Sequence, residues 1–251
     1  METSASFNRI ALGIICPMAN EKDTAISFIN QVLKVCNDYP FKSTRIYLVV
    51  DLASRDGTKN LLDGLSKDNN QVRVIFSPEN KNVVDAYKKG YQAAIIDNAD
   101  WILEIDAGFS HRPEDIPKFL DAMNSGDFDC VFGSRFHKNG RMISRSLKRS
   151  LLSHGGTYLV NALLGTKLSD MTSGFELFKR DALVQILAMN IVSHGPFFQT
   201  EIRTFAHKFR ITEVPIVYNS MTGHNHPGAI SDAFRNLKRL CLMKIKGELI
   251  W

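Results

Sequence analysis

The chain is poor in cysteine. Its four, Cys16, Cys36, Cys130 and Cys241, stand singly among 251 residues, with no Cys-x-x-Cys pair. That spacing excludes a disulfide-stapled scaffold and the usual cysteine zinc and dithiol sites, and it points to a reducing, cytoplasmic compartment. Long hydrophobic runs are absent as well. No uncharged stretch reaches the ~18 residues that a spanning helix needs, and no basic flank at the N-terminus leads into an apolar run, so neither a spanning segment nor a secretory leader is expected. There is no internal repeat and no low-complexity linker, which leaves one α/β domain as the expectation.

What is present suits that expectation. A 44% hydrophobic content is enough for a sizeable core. Lys and Arg number 31 against 26 Asp and Glu, a net charge of +5 that would suit an anionic partner: a phosphate-bearing substrate, an acidic membrane surface or nucleic acid. Without a stripe of interleaved aromatic and basic residues, nucleic acid is not expected.

Residues 10–16 form an apolar run ended by Pro17, followed by Asn20, Glu21 and helical spacing up to Val35. Residues 45–50 repeat the plan, running into Asp51, a polar turn and a helix over 59–65. A third unit joins a strand at 72–76 to a helix over 85–96, and a fourth strand, 101–105, delivers Asp106 where the apolar pattern stops. Alternating strands and helices predict a mostly parallel sheet covered on both faces, with the loops at Pro17, Asp51, Asn80 and Asp106 along one edge. Asp51 and Asp106 are expected at the carboxyl ends of neighbouring strands, where open α/β sheets meet their ligands. On this stretch alone Asp106 reads equally as a cap for the helix that Pro113 to Pro117 announces.

Further on come a strand at 129–133, a basic polar segment with Arg135, Arg141, Arg145, Lys148 and Arg149, a helix over 151–164, a helix over 200–208 and a strand at 211–218. The last helix, 230–246, places Ile230, Phe234, Leu237, Cys241 and Ile245 near one face, with basic residues largely on the others. Such a helix either packs on its own domain or rests on a membrane surface.

In order and spacing, these loops resemble a family 2 glycosyltransferase with the GT-A (Rossmann-like) fold, in its dolichyl-phosphate mannosyltransferase-like branch of polyprenyl-phosphate transferases. Pro17, Asn20 and Glu21 match Pro-x-x-Asn-Glu, and Asp51, Ser54, Asp56, Gly57 and Thr58 match Asp-Asp-Gly-Ser-x-Asp-Gly-Thr. Asp106, His111 and Pro113 to Pro117 follow the Asp-x-Asp segment and its downstream His-Pro-Pro-Glu-Asp-Ile-Pro. Gly133 to Arg135, Arg149 with Ser153, Asp170 with Thr172 to Phe175, and Glu213 to Ile216 supply the later motifs. The resemblance implies a GT-A domain over 1–228 and a basic amphipathic helix over 229–251, part of the same domain or a membrane contact. It implies an inverting transferase moving a sugar from a nucleotide-sugar donor to polyprenyl phosphate or another membrane-associated acceptor, at the inner face of a membrane. Pro17, Glu21, Asp51 and Asp106 would bind the donor, with Asp106 also holding a divalent cation, Mg²⁺ or Mn²⁺. Arg135, Arg149, Ser153, Thr172 and Ser173 would surround the acceptor phosphate, and Asp106 and Arg135 would serve catalysis.

The departures cluster at this site. Gly108 replaces the second Asp of Asp-x-Asp, Leu52 the second Asp of Asp-Asp-Gly-Ser, and Asn82 and Val84 two loop glycines. A late Arg-x-x-Gly-x-Ser-Lys becomes Ser220 to His226, losing an arginine and a lysine and gaining His224 and His226. Mg²⁺ is usually held by one or two protein carboxylates plus phosphate and water, so loss of one Asp weakens a metal site without abolishing it. The alternatives are a nucleotide-sugar-binding or scaffold protein that lost catalysis, and a transferase acting on a soluble glycan. The latter would need a general base, for which Asp170 and Glu201 are the candidates.

Overall fold

The computed structural model describes residues 7–144, 147–220 and 228–249, leaving aside the side chains of 144–150 and 220. Four βα units open the chain. They are β1 (Ala11–Pro17) with α1 (Ala25–Asn37), β2 (Ser43–Val50) with α2 (Thr58–Asp68), β3 (Val72–Phe76) with α3 (Val83–Ile96), and β4 (Trp101–Glu104) with α4 (Ile116–Ser125). Then follow β5 (Cys130–Ser134), β6 (Arg141–Ser144), α5 (Leu147–Leu164), β7 (Glu176–Lys179), α6 (Arg180–Ala188), α7 (Phe198–Phe205), β8 (Ile211–Pro215), β9 (Val217–Ser220) and α8 (Ala229–Ile245).

The main sheet has seven strands in the order β3-β2-β1-β4-β7-β5-β8. All neighbours run parallel except at β7, which is antiparallel to both β4 and β5. Strand alternation assigns each face its core. Leu12, Ile14, Leu48 and Leu103 pack with Phe28, Val32, Leu62 and Phe119 from α1, α2 and α4. Ile15, Tyr47 and Ile102 pack on the other side with residues of α3, α5, α6, α7 and α8. Helices thus cover both faces, as the alternation of elements predicts.

Asp51 and Asp106 do leave the same edge of the sheet. Their strands are not neighbours, however, because β1 pairs with β2 on one side and β4 on the other. Two further corrections concern strands. The expected strand at 211–218 breaks at Ile216, whose N–H donates to Ser134 O of β5 at 3.0 Å while its C=O accepts from Arg141 N–H of β6 at 2.9 Å; β8 pairs with β5, while β9 pairs with β6 in a separate two-stranded ribbon. Arg141–Ser144 of the basic segment thus form β6, a strand that the sequence reading does not separate. That ribbon is stapled to the loop after Asp106: Tyr218 bridges His111, Asn219 N–H donates to Ser110 O at 2.9 Å, and Val217 N–H donates to Asp115 Oδ2 at 2.8 Å.

The apolar face expected of the last helix is split. Leu237 and Leu240 are buried against the domain, whereas Ile230, Phe234, Leu242 and Ile245 are exposed. Lys244 Nζ donates to Leu163 O on α5 at 3.2 Å, and Arg239 pairs with the fully buried Glu201 of α7.

Candidate active site

Two loops at the carboxyl edge lock together before any ligand is considered. Asn20, at φ +60°, donates from Nδ2 to Ala53 O at 3.0 Å and accepts from Arg55 N–H at 2.9 Å. Lys22 N–H donates to Asp56 Oδ2 at 2.9 Å, and Glu21 N–H to Thr58 Oγ1 at 2.8 Å. Asp56 also accepts from the Thr58 hydroxyl and N–H, and these bonds hold its carboxyl down at about 2. Asn20, Asp56 and Thr58 are therefore loop braces, while among the described residues the Glu21 carboxylate accepts only locally, from the Thr24 hydroxyl. Asp51 accepts from Ala53 N–H at 2.9 Å and borders an open cleft of about 310 Å³ with Arg55, Lys59 and Phe76.

Asp106 lies two residues beyond β4, and its side chain is 39% exposed. The Tyr87 hydroxyl of α3 donates to its Oδ1. Its backbone N–H donates to His111 Nδ1 at 3.2 Å, so in the neutral ring the proton sits on Nε2. Burial, which outweighs the nearby Asp106 charge, lowers the His111 pKa and keeps the ring neutral. The ring lies between Phe175 and Tyr218, with centroids at 5.0 and 5.2 Å. Asp106 is thus fixed at both its backbone and its carboxylate, and it caps neither the turn at 113–115 nor α4, whose N-cap positions are Arg112 and Asp115. Cys16 lies beneath: burial, then the charges of Asp106 and Glu21, push its thiol well above the ordinary range.

The sequence expects Arg135 to be a phosphate-gripping cation and Asp170 a candidate base; the structure pairs them. Arg135 Nε and Nη2 donate to the two Asp170 oxygens at 2.7 and 2.8 Å, with both side chains buried. Nη2 also donates to Thr172 Oγ1 at 2.5 Å. Burial raises the Asp170 carboxyl, but the Arg135 charge and hydrogen bonds outweigh it and hold the group well below the usual range. An acid so held is not placed for proton abstraction. Glu201 is likewise occupied, accepting from Ser193 N–H at 2.8 Å and pairing with Arg239. Ser173 is buried beside Thr172, and Ser153 is half-buried on α5. Arg149 lies on α5 with its side chain outside the described set, and His224 and His226 lie outside the described residues.

Sequence reasoning missed the buried layer under the site. Glu104 and Glu176 face each other in register across β4 and β7, both fully buried. Tyr91 and Gln199 donate to Glu104, and Arg203 Nε donates to Glu176 at 2.7 Å. Burial first, then the Glu176 charge, pushes Glu104 well above the ordinary carboxylate value, so that the pair retains a proton.

Residues 13–187 match the family described as Glycosyl transferase family 2. The chain belongs to that family. Among its relatives is the undecaprenyl-phosphate mannosyltransferase of Micrococcus luteus, 32% identical over 201 residues that span 76% of this chain and 80% of that protein. Another is the polyprenol monophosphomannose synthase of Mycolicibacterium smegmatis, 29% identical over 208 residues, spanning 82% of this chain and 76% of that one. Among solved structures, glucosyl-3-phosphoglycerate synthase from Mycobacterium tuberculosis in complex with Mn²⁺, UDP and phosphoglyceric acid superposes with a TM-score of 0.67 at 15% identity. That match covers 95% of this chain and 80% of the other. This likeness is one of fold, and the fold is GT-A. As a family 2 member the protein is a glycosyltransferase, and among its described residues no helix is long and apolar enough to cross a membrane.

Proposed function

We propose that the protein moves a hexosyl group, with inversion, from a nucleoside-diphosphate sugar to a polyprenyl phosphate. The observation that supports this most directly is the convergence of Asp51 and Asp106 on one sheet edge, each delivered by its own strand beside a loop that leaves a carboxylate available. Asp51, with Pro17 and Glu21, receives the nucleoside. Asp106 faces the diphosphate. Its partly exposed carboxylate, held by the Tyr87 hydroxyl, is a hard oxygen donor suited to Mg²⁺ or Mn²⁺. No group of three or more His, Cys, Asp or Glu gathers as a ligand set among the described residues, so phosphate oxygens would complete the coordination. A bound divalent cation supplies charge neutralisation for the departing diphosphate.

A polyprenyl phosphate is already an anion, so it needs positioning more than a general base, in keeping with the occupied state of Asp170 and Glu201. Arg135 is held rigid by Asp170, with Thr172 and Ser173 beside it; together with Arg149 and Ser153 of α5 they form the acceptor side. The lipid implies a membrane. Leu151, Leu152, Tyr158, Leu159 and Leu163 of α5 are exposed, as are Ile230, Phe234 and Ile245 of α8, the helix packed next to it. With the basic residues of α8, they form an apolar and cationic surface fit for the cytoplasmic face of an anionic bilayer.

The test is transfer of labelled sugar from GDP-mannose and UDP-glucose, side by side, to a polyprenyl phosphate in vesicles or to a soluble glycan, with and without Mn²⁺. Transfer to the lipid phosphate is the expected result. Transfer to the soluble glycan alone would overturn the acceptor, and binding without transfer to either would make the chain a nucleotide-sugar-binding protein.

A further inference from the structure

Arg135 commits Nε and Nη2 to Asp170 and Thr172, so among the described residues Nη1 is the guanidinium nitrogen without a hydrogen bond, the end left for a phosphate. Where Nη1 points depends on where Asp170 is held, and Asp170 is gripped at each of its polar groups. Its N–H donates to Glu213 Oε1 at 3.2 Å, its C=O accepts from Arg203 Nη1, and its carboxylate takes Arg135 together with Thr172 N–H at 3.0 Å. Arg203 also donates from Nη2 to Gly133 O at 3.1 Å, two residues before Arg135. One guanidinium thus ties the backbone that carries the arginine to the backbone that carries its acid. Glu213, on the edge strand β8, makes a second tie. It accepts from Ser169 N–H at 2.8 Å and from the Ser169 hydroxyl at 3.0 Å, and that hydroxyl lies 2.6 Å from the hydroxyl of Ser134, next to Arg135. Arg203 is fully buried and meets no ligand, and the Glu213 carboxylate is taken up by three donors.

We propose that Arg203 and Glu213 are positioning residues for the acceptor phosphate: without touching it, they fix the direction in which Arg135 presents Nη1. This deepens the reading of Arg135 as part of the acceptor side, and it rests on that reading. The two bonds between Arg135 and Asp170 set the side chains relative to each other, but they do not set the pair relative to the sheet. The backbone ties from α7 and β8 do. A phosphate that meets an N–H already aimed at it gives up less freedom on binding, and an aim that drifts by about 1 Å forfeits much of that gain.

The experiment is steady-state transfer of labelled sugar to a polyprenyl phosphate in vesicles, from whichever of GDP-mannose and UDP-glucose the wild-type chain uses, with acceptor and donor varied in turn. Glu213→Gln keeps the side-chain volume but turns one of two accepting oxygens into a donor, and should raise the acceptor KM by about tenfold while leaving the donor KM near wild type. Arg203→Lys keeps the buried charge beside Glu176, but its single nitrogen cannot serve Glu176, Gly133 O and Asp170 O together, and it should act in the same way. In an Arg135→Ala background Glu213→Gln should add nothing further to the acceptor KM, because its effect passes through Arg135; a merely structural loss would add in full. Thermal melts establish that each variant is folded at the assay temperature. A wild-type acceptor KM in either folded variant, with Arg135→Ala impaired, would overturn this inference alone, and so would full additivity or a donor KM that rises in step. A wild-type acceptor KM in Arg135→Ala, or no transfer to lipid phosphate by the wild-type chain, would instead overturn the reading on which it rests.

Discussion

Replacing Arg203 by methionine tests whether the layer beneath the site is dry and ionised. Arg203 is fully buried on α7. It donates from Nε to Glu176 at 2.7 Å, from Nη2 to Gly133 O at 3.1 Å and from Nη1 to Asp170 O, and its guanidinium lies 4.6 Å from the Phe132 ring centroid. Methionine keeps much of the apolar stem and removes every donor. What remains is a buried Glu176 without its cation, facing Glu104 across the sheet, and two carbonyls without a partner that they now have. Removing one member of a buried pair costs about 3–5 kcal/mol. In a chain of this size each kcal/mol is worth roughly 2–4 °C, so Tm should fall by about 6–20 °C. Urea unfolding and thermal melts by circular dichroism measure both. Adding Glu176→Gln should return part of the loss, since an amide is cheaper to bury than an unpaired carboxylate. Lowering the pH should also shrink the loss, because the folded variant can then protonate Glu176. A cost under about 1 kcal/mol, unchanged between pH 5 and pH 8, would refute the idea that this pair sits in a low-dielectric interior.

Three other outcomes follow from the same contacts. Glu104 has a folded pKa raised above its ordinary 4.5, so the folded state binds more protons than the unfolded chain above that pH; stability should decline by about 1.4 kcal/mol per pH unit through the window, and Glu104→Gln should flatten the slope of unfolding free energy against pH. Asp106→Asn should weaken nucleoside diphosphate binding with Mn²⁺ by calorimetry while leaving Tm nearly intact. Asp115→Asn should do the reverse, because Asp115 is buried and serves Val217 N–H and Lys118. Gly90→Ala should destabilise by roughly 1–3 kcal/mol, read from urea melts, since its Cβ would meet Ile15 Cγ2 at 2.3 Å where α3 lies on β1.

The first half of the fold was legible because each strand run passes straight into helical spacing, and the boundaries of β1, β3 and α3 fall within two residues of the expectation. The second half was not, and β7 shows why. Glu-Leu-Phe-Lys is four residues long and begins with an acid, so by pattern it reads as the tail of a motif loop. Only Arg203, 27 residues away, makes that acid tolerable in a sheet interior. Likewise β6 is hidden in a run of basic residues and becomes a strand only because β9 lies beside it. Periodicity records which side chains face water locally, and these segments are settled by partners that are remote in sequence.

The same distinction runs through the site. Asp51 and Asp106 could be placed from sequence because a carboxylate that ends an apolar strand has few places to go. What each polar residue pairs with could not, since those partners lie 19 residues away for Asp106 and Tyr87 and 35 for Arg135 and Asp170. Read singly, Arg135 looks like a free cation and Asp170 like a free base. Paired, they form one rigid and nearly neutral unit: the carboxylate offsets the guanidinium's charge and fixes its plane through two parallel bonds. A phosphate arriving there would gain less long-range attraction than an unpaired arginine gives, but would lose less entropy in meeting a group that is already oriented. Long-range attraction must then come mostly from charges not engaged in buried pairs, such as the exposed Arg235 and Lys238 of α8, the helix packed beside the exposed apolar side chains of α5. A surface that gathers anionic lipid and a rigid fork that aligns one phosphate divide between them what a single free arginine would otherwise have to do.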